Sequence, residues 1–275
     1  MDNIINLLFD PLQYGFMLRA LAVSILIGII CPVIGSYVVI RGLAFMGDAI
    51  AHAILPGLVI GFLIGVSPVV SAIPVGILIA FLIGYLSRKT GLSEDTSIGI
   101  LFAGLFAFGL ILLSLFKSVR INLSDILLGQ VLGVSQNDIM ITGLLVIIVL
   151  ITLIAFHKEL VFAGFDPQGA SIIGLPTNLL DYLLLGLTAV VIVISIQAVG
   201  VILVMAMLVT PAATAYLLAR NFKIMMLIGP IIGIIATSLG LYSSFYWNIP
   251  SGPAMTLATV ALFTLTVVFK RMIRN

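Results

Sequence analysis

Asp48 and His52 stand four residues apart in RGLAFMGDAIAHAILPGLVIG, the run from Arg41 to Gly61. Between Arg41 and Arg88 no other acidic, basic or imidazole side chain occurs. On a helix, positions i and i+4 lie one above the other, so both side chains point into one space. A carboxylate oxygen and an imidazole nitrogen make a mixed donor set suited to a divalent transition metal. Two donors are too few, because first-row ions take about four to six. Within the first three apolar runs only backbone carbonyls, waters or Met46 are left to complete the set. A second copy of the chain across a two-fold axis would supply the missing pair, which points to a dimer with the site at its interface. A half-built site in each subunit also suits an ion that must leave as well as enter. The plain alternative is an Asp–His ion pair closing a helix end, with Asp48 gaining from the dipole at the helix N-terminus.

The elements that hold this pair are set by composition. The chain is 62% hydrophobic and only 8% charged, with a mean hydropathy of +1.36. A soluble domain is about 25% charged, so this is an integral membrane protein. Its apolar runs are long and continuous rather than alternating with period two, which selects helices over a barrel. An ionisable group at membrane depth costs roughly 2.5–3.5 kcal/mol on insertion and normally faces a cavity or a substrate path. Asp48 and His52 therefore mark what the protein handles. The single cysteine, Cys31, excludes an internal disulfide and any cysteine zinc site, and is simplest as a small buried hydrophobe. The start, MDNIINLLFDPLQYG, lacks the basic residues and cleavage site of a secretory signal peptide.

Residues 1–15 form an acidic amphipathic stretch that suits the membrane interface. Nine spans then follow, at about 16–40, 43–66, 68–86, 98–116, 139–156, 179–196, 201–219, 224–242 and 254–269. Pro32 and Gly35 predict a kink in the first. The second bears Asp48 and His52 near its start, then Pro56, Gly57 and Gly61. Ser87–Ser97 is a polar loop in which Ser93, followed by Glu94 and Asp95, predicts an N-cap with an acidic first turn. Residues 117–136 are semi-polar and too short to cross, which predicts a short re-entrant or interfacial helix near Leu123–Leu132. With the C-terminus in the cytoplasm, nine of the twelve Lys and Arg residues fall inside, among them Arg41, Arg88, Lys89 and Lys158. The N-terminus then lies outside. Tyr242, Phe245, Tyr246 and Trp247 fit an outer aromatic belt. The basic residues flank membrane and imply no nucleic-acid partner; the surrounding partner is lipid. The expected organisation is a single membrane domain over 1–275.

The second informative stretch is the cytoplasmic segment 162–176. Small residues (Ala163, Gly164, Gly169, Ala170, Gly174) alternate with Asp166-Pro167 and Ile172-Ile173. Asp166 as N-cap with Pro167 at the first helical position predicts a short helix ending at Gly174. A short capped helix with small faces suits a docking element; an ordinary structured loop is the alternative. Catalytic motifs are absent: there is no HExxH, GxSxG or P-loop, and His157 is the only other histidine, placed at a span end. No enzyme activity is expected of the chain.

GDAIAHAILPG (Gly47–Gly57) closely resembles the signature of the ABC-3 permeases, the membrane subunits of bacterial ABC importers for manganese, zinc and iron. AGFDPQGASIIG (Ala163–Gly174) resembles that family's cytoplasmic coupling helix, and AVGVILVMAMLVTPAATAYLLA (Ala198–Ala219) its late conserved segment. The likeness runs along essentially the whole chain in order. It implies an all-α polytopic fold akin to importers of the vitamin B12 and siderophore type, in the bacterial cytoplasmic membrane, with two permease copies around a central path. It implies two ATP-binding subunits docked at Ala163, Gly164, Phe165, Asp166, Pro167, Ala170 and Gly174 (about 163–175), and an extracytoplasmic metal-binding protein that delivers the ion. It also implies that Asp48 and His52 match path-lining metal ligands. ATP chemistry would belong to the partner, and the cargo is a transported metal rather than a bound cofactor. Met46 beside Gly47-Asp48, together with Val204–Ala215, resembles the manganese and iron branch more than the zinc branch, and Mn²⁺ is favoured. Zinc or iron import by the same mechanism is the alternative, then an ATP-independent carrier, and last a membrane metal enzyme.

Overall fold

Apolar segments in lipid have no water to satisfy their backbone polar groups, so each must bond within itself. A computed structural model describes residues 9–66, 68–116, 129 and 131–274, and among these there is no strand. A 3₁₀ turn at Asp10–Gln13 leads into α1 (Gly15–Ile40). Then come α2 (Met46–Ala53), α3 (Leu55–Leu63), α4 (Pro68–Thr90) and α5 (Glu94–Leu115). A 3₁₀ turn at Val131–Gly133 precedes α6 (Gln136–Ala155), α7 (His157–Phe165) and α8 (Pro167–Ile172). The chain ends with α9 (Thr177–Val199), α10 (Val201–Leu218), α11 (Phe222–Trp247) and α12 (Ser251–Arg274). Among the described residues nine segments are long and apolar enough to cross a membrane, with α2 and α3 together counting as one. The expected re-entrant helix near 123–132 lies almost wholly outside the described residues, as does most of the amphipathic start.

One expectation changes, at residues 87–90, and two spans gain detail. The second span, which carries Pro56, is made of two helices that meet at Ile54. Pro56 has no N–H to give the His52 carbonyl and crowds that turn, so the helix restarts with Pro56 in its first turn, where proline is tolerated. The helix before the polar loop runs on to Thr90, so Ser87, Arg88 and Lys89 are its last turn rather than loop. The first span passes through Pro32 as one helix, with Ser36 Oγ donating to the Pro32 carbonyl at 2.9 Å.

The chain forms two compact units. The first comprises Met1–Val39, Ser124–Ile147 and Ser195–Asn275. Within it α10, α11 and α12 pack on one another. α1 joins through close backbone approaches of the kind small residues permit in membranes. Gly28 faces Gly233, where an added Cβ would stand 3.1 Å from the Gly233 carbonyl carbon, and Gly35 lies against the Leu208 carbonyl. Arg19 Nε donates to the Val134 carbonyl at 3.0 Å, tying α1 to the segment before α6. Lys270 Nζ donates to the Leu217 carbonyl, so the basic tail and the end of α10 share one end of this unit.

The second unit comprises Ile40–Leu123 and Ile148–Ile194. α2 and α3 both pack on α5 and on α4, and α8 packs on α7. Gly109 of α5 sits against Leu55, with an added Cβ only 2.9 Å from the leucine side chain, so α5 closes tightly over the α2–α3 break. Yet only 11% of the apolar window of α5 is buried inside the chain, which leaves its other faces open to lipid or to another copy.

Candidate functional site

The helix α2 begins at Met46 without a side-chain cap, and Asp48 falls in its first turn, where a negative charge is favoured. His52 follows one turn on and lies in the last turn. At 1.5 Å per residue it sits about 9 Å along the axis from Met46, well inside the span. The i, i+4 stacking expected from the spacing is present. His52 Nδ1 is 3.1 Å from Asp48 Oδ1 and 3.0 Å from the Asp48 carbonyl oxygen. With two oxygens facing Nδ1, that nitrogen carries the proton and donates it. In the neutral ring Nε2 is then the lone-pair nitrogen, the atom a metal would take. Both side chains remain reachable, Asp48 at 35% and His52 at 24% exposure.

The ring is held from α5. Phe102 and Phe106 meet it edge-to-face, with centroids at 5.7 and 5.3 Å. They stack on each other at 5.9 Å and so form one apolar wall beside the imidazole. Sequence reasoning missed both, because aromatic residues in an apolar span carry no signal that sets them apart from lipid-facing ones.

Met46, the candidate third donor, is fully buried, whereas the Asp48–His52 pair is partly open. Met46 is part of the packing around α2. Among the described residues no group of three or more His, Cys, Asp or Glu side chains comes together. The chain brings two donors to this place. Cys31 is fully buried, with Sγ 3.4 Å from Ser195 Oγ, and belongs to packing in its own unit.

The segment expected to dock a partner forms two helices meeting at Asp166. Asp166 Oδ1 accepts from Gly169 N–H at 2.8 Å, and Pro167 opens α8, so the expected cap is present. Gly174, at φ +84°, takes the left-handed conformation that ends it. Ala163 and Ala170 are buried and let the helices close. Phe165, Asp166, Pro167 and Gly174 are exposed, and Gly164 is half-buried. Ile172 and Ile173 are 84% and 67% exposed. These two isoleucines form the most open apolar step on the segment and were not singled out from sequence.

A third feature went unread. Asp181, one turn into α9, accepts from Arg41 Nη1 and Arg88 Nη2, each at 2.8 Å. Arg88 also donates to the Asn178 carbonyl at 3.3 Å and lies over the Tyr182 ring at 4.5 Å. Arg41 Nε is 3.9 Å from where a Cβ on Gly164 would stand. Arg41, Arg88 and the 163–174 segment thus share one end of this unit.

The sequence matches the ABC 3 transport family over residues 13–270. The chain belongs to the ABC 3 transport family. It is 40% identical over 98% of its length to the manganese transport system membrane protein MntC of Halalkalibacterium halodurans, of which the match covers 92%. It is 37% identical over 98% of its length to the chelated iron transport system membrane protein YfeD of Yersinia pestis, covering 90% of that protein. Its fold is similar to that of a chain in the solved structure of PsaBC from Streptococcus pneumoniae in complex with Fab, with a TM-score of 0.84 at 36% identity over 95% of each chain. As an ABC-3 permease it is an all-helical, multi-pass protein of the bacterial inner membrane.

Proposed function

We propose that this chain is the permease subunit of an ATP-driven importer of divalent metal ions, with Mn²⁺ as cargo. The observation that carries the reading is the Asp48–His52 pair: partly open, with Nδ1 held by Asp48 and Nε2 left as a lone-pair donor. Membership of the family and the manganese named in MntC support the choice of metal. YfeD supports iron as the second cargo. Zinc comes after both, because these relatives name manganese and iron.

Two permease copies, identical in the simplest case, would bring two Asp48–His52 pairs to one ion path, reaching the four donors that one chain lacks. The thinly covered α5 beside His52 leaves room for such a neighbour. The break at Ile54 supports a path as well. Interrupted helices put unpaired backbone carbonyls where a membrane protein handles ions. Two ATP-binding subunits would dock at α7–α8, where Phe165, Ile172 and Ile173 stand exposed, and would hydrolyse ATP. An extracytoplasmic metal-binding protein would deliver the ion. The chain acts as one permease domain and has no enzyme activity of its own.

The test is radiotracer uptake of Mn²⁺, with Fe²⁺ and Zn²⁺ in parallel, in cells expressing the complete transporter. Parent, Asp48→Asn and His52→Ala are compared at equal membrane abundance. Loss of Mn²⁺ uptake in both variants, with the ATP-binding subunit still co-purifying, is the expected result. Undiminished uptake in both would make the pair a helix-end ion pair and sink the reading. Uptake by the parent that is indifferent to ATP would favour a secondary carrier.

A further inference from the structure

We propose that Asp181 is a positioning residue that links the docking helices to the segment bearing Asp48 and His52, so that transport stays coupled to the ATP-binding partner. This rests on the permease reading above.

Asp181 is the only carboxylate among the described residues that holds two guanidinium groups, and each comes from a different element. Arg88 belongs to the last turn of α4. Arg41 stands at the turn after α1, seven residues before Asp48. Between them Gly42, at φ +72°, lets the backbone reverse, and Met46 N–H donates to the Leu43 carbonyl at 3.0 Å to start α2. The path from Arg41 to Asp48 is therefore one tight turn and the head of one helix.

On the other side, Asp181 is joined to the docking segment by the chain. α8 ends at Ile172 and α9 begins at Thr177. The link is short and bonded: Leu175 N–H donates to the Ala170 carbonyl at 3.0 Å, and Thr177 N–H to the Leu175 carbonyl at 2.8 Å. Contact through space runs in parallel, since Gly164 of α7 lies beside the Arg41 guanidinium. A displacement of α7–α8 on docking thus reaches Arg41 by two routes, through Asp181 and through Gly164.

Arg41 is well placed to be shifted rather than merely anchored. Its side chain is 11% exposed, yet Nη2 is buried with no hydrogen-bond partner. Glu94, at the head of α5, interacts electrostatically with Arg41, Arg88 and Asp181 alike. The cluster therefore has a spare donor and a second carboxylate within its field. When α9 carries Asp181 away, Arg41 has another acceptor to turn to, and α2 moves with it. Asp181 is the two-pronged member of the joint, with Oδ1 on Arg41 and Oδ2 on Arg88, and the planar guanidinium heads hold it more rigidly than a flexible lysine would.

The experiment uses the full transporter in proteoliposomes with the metal-loaded binding protein, and measures Mn²⁺ taken up per ATP hydrolysed. Asp181→Asn is expected to keep assembly and ATP hydrolysis while lowering uptake per ATP about tenfold, within the range of energetic coupling between sites. Asp181→Glu, which preserves the double acceptor, should recover most of the ratio. Arg41→Lys keeps the charge but gives up the rigid planar head and its spare donor, and should lower the ratio by a smaller factor. It also serves if Asp181→Asn fails to accumulate. A ratio unchanged in Asp181→Asn, or in Arg41→Lys where the first is not obtained, overturns the proposal. So does a fall in Asp181→Asn that the Glu variant shares in full. A parent complex that hydrolyses ATP but moves no metal would instead refute the permease reading, so the two failures are told apart.

Discussion

If two copies share one ion, removing His52 from one copy must cost about half the free energy of removing it from both. The change takes away Nε2, the donor freed by the contacts of Nδ1 with Asp48 at 3.0 and 3.1 Å. Loss of even an outer-shell partner costs about 10–100-fold in metal affinity. A direct donor costs at least as much, so each copy is worth about 1.4–2.7 kcal/mol. The mixed pair should therefore show an apparent Mn²⁺ affinity lowered about 10–100-fold, and the doubly substituted pair about 100–10,000-fold. Nine crossings would put the termini on opposite sides of the membrane, so a tandem fusion is avoided. Parent and His52→Ala copies bearing different affinity tags are instead co-expressed, and the mixed complex is isolated by sequential purification. Initial uptake rates are then measured against Mn²⁺ concentration in proteoliposomes. A mixed pair indistinguishable from the parent would mean that one copy suffices, and a mixed pair as poor as the double variant would mean that the losses do not divide between copies. Either refutes the shared-site reasoning.

Phe102 and Phe106 hold the imidazole by edge contacts worth about 0.5–1.5 kcal/mol each beyond burial, so Phe102→Ala with Phe106→Ala should raise the apparent KM for Mn²⁺ about tenfold at unchanged abundance. Initial uptake rates check this, and an unchanged KM means that the wall does not position His52. Gly35→Val drives a side chain into the Leu208 carbonyl, which no rotamer can avoid; a loss of about 1–3 kcal/mol should lower the Tm of the purified protein. Gly104→Ala, where the added atom meets open space, is the control that should leave Tm in place. Cys31 is fully buried beside Ser195, so a membrane-permeant maleimide should leave it unmodified until the protein is denatured, as intact mass will report. Rapid labelling in native membranes would show that this packing opens.

What was legible in the sequence is what local chemistry dictates. The nine spans follow from apolar runs that can bond their backbones only as helices. The caps at Ser93 and Asp166 each use a side-chain oxygen three residues before the N–H it accepts from, at 3.1 and 2.8 Å, so neighbours alone determine them. The break at Ile54 was also written locally, in Pro56, but a long apolar run masks it. The extension of α4 to Thr90 was not local: a polar last turn looks like loop until Arg88 finds Asp181, 93 residues away, and the face of Tyr182. The same distance hid Asp181, which sits among leucines at a span start. At the site, the stacking of Asp48 and His52 was legible from spacing, whereas the aromatic wall and the burial of Met46 depend on how α5 packs against α2.

Among the described residues, several carboxylates are already satisfied by cations or by helix starts. Asp181 is neutralised by two arginines, and Asp166 and Asp138 are spent on N–H groups at helix starts. Asp48 differs: among the described residues no Lys or Arg forms an ion pair with it, and its partner is an imidazole that must stay neutral to offer Nε2. Two copies would therefore bring two negative charges and two neutral nitrogens to one place inside the membrane. A divalent cation cancels that charge. A monovalent or trivalent ion leaves a net charge where uncompensated charge is costly. Charge thus selects the valence but cannot separate Mn²⁺, Fe²⁺ and Zn²⁺, which share it. Donor type does only part of that work: an oxygen–imidazole set forgoes the thiolate that favours softer ions, yet intrinsic affinity still rises from manganese towards zinc. On the proposed reading, discrimination within the divalent series falls partly to the protein that would deliver the ion, before it reaches Asp48.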